Sequence, residues 1–76
     1  MTKNELFKRM WVPVKNRLPD ETEEKILYKT ADGIVGISNG IIMNSQQMQI
    51  RKGLIKPDPE YKTTGYYATH WMKIVL

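Results

Sequence analysis

Few side chains in this sequence have the types and spacing that chemistry needs. They are one histidine, His70, one tight carboxylate group, Asp20, Glu21, Glu23 and Glu24, and a run from Arg51 to Tyr67 that interleaves basic residues with tyrosines. A catalytic histidine needs a nucleophile or an orienting carboxylate, and a metal centre needs several ligands at set spacing. His70, between Thr69 and Trp71, has neither set near it in sequence, so a structural or hydrogen-bonding role is expected. Clustered carboxylates suit a divalent cation, but the acidic run lacks the glycine and alternating spacing of a calcium loop. A solvated loop or a contact for a basic partner is the better reading. Hydrolysis by paired carboxylates needs two separated, differently buried groups, which an exposed loop does not supply. Gly33, Gly36, Gly40 and Gly53 are too scattered to cradle a phosphate. No enzyme activity, cofactor or metal is expected.

The second candidate is electrostatic. Arg51, Lys52, Lys56 and Lys62 could meet phosphates while Tyr61, Tyr66 and Tyr67 offer faces on which unpaired bases stack. The competing reading is that the tyrosines pack a sheet, as tyrosine commonly does, and the lysines keep a loop soluble. Net charge is +4, but it is unevenly spread. Lys3, Lys8, Arg9, Lys15 and Arg17 stand against Glu5 alone in the first nineteen residues, and the acidic group follows directly. The chain is a modestly basic body with one acidic loop, not a uniform polycation.

The elements that must position these groups are small. With 76 residues, 41% hydrophobic and 26% charged, the chain suits one globular domain, 1–76, which at this size buries only about 60% of its unfolded surface. Absence of cysteine fits a reducing, cytoplasmic setting. No apolar run reaches membrane-spanning length, and the N-terminus lacks the apolar core of a signal peptide. Thr2 with Glu5, then Leu6, Phe7 and Met10, predicts a short helical extension over about residues 3–10. Pro13 and Pro19 bracket an extended stretch from which Trp11 and Val14 point inward.

Two glycine dipeptides, Asp32-Gly33 and Asn39-Gly40, predict tight two-residue hairpins linking strands in 25–30, 34–38 and 41–44. In that register Ile26, Tyr28, Thr30, Val35, Ile37 and Ile42 share the core face, and Leu27, Lys29, Ile34, Gly36, Ser38, Ile41 and Met43 share a mixed one. Met48, Ile50, Leu54 and Ile55 suit a further strand around 47–52 or a helical turn, with strand favoured. Pro57 and Pro59 mark a loop, and Tyr66 to Leu76 returns to strand composition and closes the sheet. The expected fold class is mainly β, a small antiparallel sheet or partly open barrel of four to five strands with a short N-terminal helix. Trp11 and Trp71 are its expected core anchors.

Trp11-Val-Pro-Val14, Asn16-Arg17-Leu18-Pro19, Lys25-Ile-Leu-Tyr28, Asp32-Gly33 and Thr69-His70-Trp71-Met72 together resemble small phage and prophage proteins grouped as domain of unknown function 551. The resemblance spans roughly Trp11 to Met72; residues 3–10 and 48–61 are not part of the pattern. It implies a bacteriophage or prophage origin and a compact mostly-β domain whose two ends meet, and it implies no activity. The expected function is therefore non-catalytic: attachment to a host or phage macromolecule in the bacterial cytoplasm that modulates its activity, most concretely by inhibition. A bacterial enzyme or defence complex is the most concrete target. The contacts expected are Asp20, Glu21, Glu23 and Glu24, or the apolar residues Ile34, Ile41 and Met43 of the mixed face. The alternative is a nucleic-acid-binding accessory protein using Arg51 to Tyr67. The mixed face could also pair two copies of the chain.

Overall fold

The computed structural model describes residues 11–56, 58–61 and 63–74. Among them, β1 (Val12–Pro13), β2 (Ile26–Thr30) and β3 (Val35–Ser38) precede helix α1 (Gly40–Arg51). Short 3-10 turns at Pro59–Tyr61 and Gly65–Tyr67 lead into β4 (Ala68–Lys73). The strands form one open antiparallel sheet in the order β1-β4-β2-β3. The expected antiparallel sheet is present with four strands, but it does not close into a barrel. The terminal strand runs through its middle, between β1 and β2. Tyr66 and Tyr67 lie in the turn before that strand, not in it. The helix expected over residues 3–10 lies outside the described residues.

The hairpin between β2 and β3 differs from expectation by one residue. Gly33 donates its N–H to the Thr30 carbonyl at 3.0 Å, and Thr30 donates to the Ile34 carbonyl at 2.9 Å. The loop is thus three residues, 31–33, with Gly33 at φ +87°, the left-handed position that such a loop gives to glycine. The Thr30 hydroxyl also accepts the Ile34 N–H at 3.2 Å. Register becomes Lys29↔Val35, Tyr28↔Gly36, Leu27↔Ile37 and Ile26↔Ser38. A one-residue slip turns every β3 side chain over. Val35 and Ile37, expected in the core, are 56% and 67% exposed, and Gly36 and Ser38 take the inner face.

Asn39-Gly40 is not a hairpin turn either. Asn39 is extended, with φ −136° and ψ 172°, and its side chain accepts the Ile42 N–H at 2.8 Å, which makes it the N-cap of α1. Asparagine is as good a helix cap as a turn former because the same short carbonyl serves both. The expected strands at 41–44 and 47–52 are therefore one helix. Met43, expected on the mixed face, is fully buried, while Ile42, expected inside, is exposed.

The core gathers Val14, Ile26, Tyr28, Met43, Ala68 and Trp71, with Val12 and Leu18 packed against it. The two ends of the domain meet in it: Val12 pairs with Trp71 and Pro13 with His70. The Trp71 indole N–H donates to the Arg17 carbonyl at 2.8 Å, and the Arg17 guanidinium lies 5.6 Å from the Trp71 ring centre. Trp11 is not the second anchor. It is half-buried outside this cluster, with the Lys29 ammonium 5.1 Å from its ring centre.

The observed register has a direct consequence for stability. Ile26→Ala is expected to cost about 2–5 kcal/mol, whereas Ile37→Ala should stay within about 0.5 kcal/mol of the parent in urea unfolding. The two-residue-turn register requires both substitutions to be costly.

Candidate protein-binding surface

The acidic segment is a shaped loop, not a loose one. The Asp20 carboxylate accepts the Thr22 N–H at 2.9 Å and the Thr22 hydroxyl at 2.8 Å, and Glu23 donates its N–H to the Asp20 carbonyl at 3.1 Å. These bonds favour the ionised form, so the Thr22 backbone and hydroxyl hold the Asp20 carboxyl below its usual range. The loop is then fastened to the start of α1. Gly40 donates to the Glu23 carbonyl at 2.8 Å, and the Asn44 amide donates to the Pro19 carbonyl and, at 3.2 Å, to the Gly40 carbonyl. A Cβ on Gly40 would sit 1.8 Å from the Asp20 carbonyl oxygen, so only glycine lets the two backbones meet.

This docking forms a shallow cleft of about 330 Å³ lined by Glu21, Thr22, Glu23, Glu24, Asn39 and Ile41. Ile41 is 64% exposed. Glu23 is paired with Lys73 at 2.7 Å, and Asp20 is turned to Thr22. Glu21 and Glu24 are left as the loop's exposed carboxylates without a partner among the described residues. Chemically, the cleft offers two negative charges beside one aliphatic side chain.

Of the partner contacts expected from sequence, the structure brings Glu21, Glu23 and Glu24 together with Ile41, while the Asp20 carboxylate, turned to Thr22, does not line the cleft. Ile34 is half-buried at the end of the β2–β3 hairpin and does not line this cleft, and Met43 belongs to the core. The residues that the reading of the sequence missed are Val35, Ile37, Ile42 and Met48, all exposed. A signal for them was available: no charged residue occurs between Asp32 and Arg51, in a chain that is 26% charged.

The basic and aromatic candidates are only partly assembled. Arg51 donates to the Val14 carbonyl at 2.5 Å, which ties the end of α1 to the N-terminal stretch and takes up part of its guanidinium. Arg51, Lys15 and Tyr66 line a second cleft of about 260 Å³, and Lys15 is a member that spacing did not suggest. Tyr61 and Tyr66 pack on each other with ring centres 5.3 Å apart. Tyr67 is half-buried, and burial followed by the Asp58 and Asp32 carboxylates pushes its hydroxyl pKa up. Those two carboxylates oppose a phosphate at that position. Lys52 and Lys56 are exposed, and Lys62 lies outside the described residues.

His70 is half-buried in β4, opposite Lys29 and Pro13, with its Nδ1 2.8 Å from the Thr69 hydroxyl. No group of three His, Asp or Glu side chains converges as a metal site among the described residues. No helix among them is long and apolar enough to cross a membrane.

Two measurements check this geometry. Burial first, and then the Lys29 ammonium, hold His70 below the usual imidazole value of 6.5. Its NMR titration midpoint should therefore fall below 6.5. Because the unfolded chain takes that proton more readily, stability contributed by neutral His70 is complete above the unfolded pKa and declines as pH falls toward the folded one. Separately, Gly40→Ala should destabilise the fold by about 1–3 kcal/mol. It should also shift the amide resonances of residues 20–24, since the loop must back away from the helix.

Compared with protein families, with curated proteins and with solved structures, the chain matches none.

Proposed function

We propose that the chain is a phage-encoded, non-catalytic binding protein of the bacterial cytoplasm that attaches to a host or phage protein and inhibits it. The observation that carries this reading is the placement of exposed Ile41 beside Glu21 and Glu24 in a cleft whose walls are held by hydrogen bonds. Such a cleft suits an apolar side chain flanked by lysine or arginine on the partner. Burial of the isoleucine gives affinity, and the charges steer encounter and fix register. The likeness to phage and prophage proteins carried by Arg17-Leu18-Pro19 and Thr69-His70-Trp71-Met72 supports the origin. The absence of cysteine fits the compartment.

A second reading has one observation in its favour: the cleft that joins Lys15 and Arg51 to Tyr66, as a nucleic-acid accessory protein would require. The two readings part in the response to salt and to substitution. Affinity capture from bacterial lysate, followed by titration of the purified partner, is expected to show Ile41→Lys weakening binding at least about 10-fold. Glu21→Lys combined with Glu24→Lys should slow association. Binding that ignores all three substitutions would remove the proposed surface. Binding to single-stranded DNA that falls steeply with salt and is lost in Lys15→Glu would favour the second reading.

A further inference from the structure

We propose that β3 pairs with β3 of a second copy of the chain, so that two four-stranded sheets join into one across a twofold axis. The inference rests on the open edge of the sheet, not on the acidic cleft. The two edges of the sheet are built differently. Natural edges are blunted by proline, charge or shortness, and β1 has two of these, being a two-residue strand that contains Pro13. β3 reads Val-Gly-Ile-Ser, with no proline and no charge, and no described strand pairs its outer side.

The register with β2 fixes what that outer side offers. Thr30 and Ile34 form a hydrogen-bonded pair, and in an antiparallel ladder such pairs alternate with non-bonded ones. Tyr28↔Gly36 and Ile26↔Ser38 are therefore the bonded pairs, and the N–H and C=O of Val35 and Ile37 point to the open edge. In a twofold arrangement, residues directly opposite each other must lie on the same face of the joined sheet. Pairing centred on Gly36 satisfies this. Val35 then stands opposite Ile37 of the second copy, and Ile37 opposite Val35 of the second copy, with four N–H···O bonds made by the groups left free. On the outer face the row Met72, Leu27, Ile37 becomes continuous with Val35 of the second copy.

Charge agrees with that occupant. The chain carries +4, which opposes self-association generally, yet no charged residue lies between Asp32 and Arg51. β3 meets itself without repulsion and without burying a charge. The strand pair alone covers less than the about 800 Å² per partner of a standard interface, so the dimer is a weak one, dissociating between about 1 µM and 1 mM.

Sedimentation equilibrium from about 10 µM to about 1 mM should show the mass rising from 8.9 kDa toward twice that value. Ile37→Lys, which puts charge on the edge, and Val35→Pro, which removes an outward N–H, should each keep the chain monomeric with unchanged circular dichroism. The chain lacks cysteine, so register can be read by oxidation. A mixture of Val35→Cys and Ile37→Cys chains should form the mixed disulfide, because bonded pairs stand about 5.5 Å apart at Cα. Neither variant alone should cross-link well, since the diagonal is about 7–8 Å. A monomer at the highest concentration overturns the proposal. So does a dimer indifferent to both edge substitutions, or one in which Ile37→Cys cross-links to itself in preference to Val35→Cys.

Discussion

The architecture depends on the conformation of one residue. With Gly33 at φ +87° the β2–β3 connection has three residues, and everything after it follows. Gly36 falls over Tyr28, whose ring occupies the space a side chain there would need, and the aliphatic β3 side chains turn outward. With a two-residue turn, Val35 and Ile37 would point inward, and a side chain would stand opposite Tyr28 where the structure has Gly36. The three-residue loop is also locally the better bonded. The Thr30 hydroxyl accepts the Ile34 N–H as well, and a three-residue loop that ends in a left-handed glycine suits the natural twist of two strands.

Asp-Gly is a strong hairpin signal in either loop length, so the sequence showed the hairpin and the buried alternation of Ile26, Tyr28 and Thr30 in β2 but not the pairing of β3. The choice between the two turns also depends on what they bury, which is long-range information. Asn39-Gly40 fails differently. Its residues satisfy both an Asn-Gly turn and a helix cap, and the three apolar residues that follow, Ile41, Ile42 and Met43, fit a strand as readily as a first helical turn. The decision lies at Gly40, whose missing Cβ lets the Asp20 backbone approach. No local pattern announces a contact between positions 20 and 40.

The candidate site was legible to the same degree. An acidic loop and an exposed Ile41 could be read separately, because composition reports solvation and turn chemistry. Their union could not, because the bonds that make it run from backbone to backbone and from Asn44 to the Pro19 carbonyl. Such bonds leave no trace in hydropathy. The meeting of the two ends was anticipated from the paired motifs at Arg17-Leu18-Pro19 and Thr69-His70-Trp71. It takes the form of a tryptophan N–H on the Arg17 carbonyl, with the Arg17 side chain over the indole ring.

A pattern runs through the irregular segments of this small domain. Asn44 reaches the Pro19 carbonyl, Arg51 that of Val14, Trp71 that of Arg17, Gln47 that of Gly65 and Tyr28 that of Thr63. In each case a side chain on a helix or strand donates to a carbonyl in a stretch that lies outside the ladders, where an unpaired acceptor would be costly once buried. Among the described residues only seven hydrophobic side chains are buried, too few to order loops by packing alone. Hydrogen bonding from the regular elements takes over that task. A loop held in this way loses little freedom when a partner arrives, and pre-organisation of that kind raises affinity without adding contacts. On the proposed function the acidic cleft gains most from it, because its two walls, the 20–24 loop and the first turn of α1, are fixed to each other by the Gly40 and Asn44 bonds.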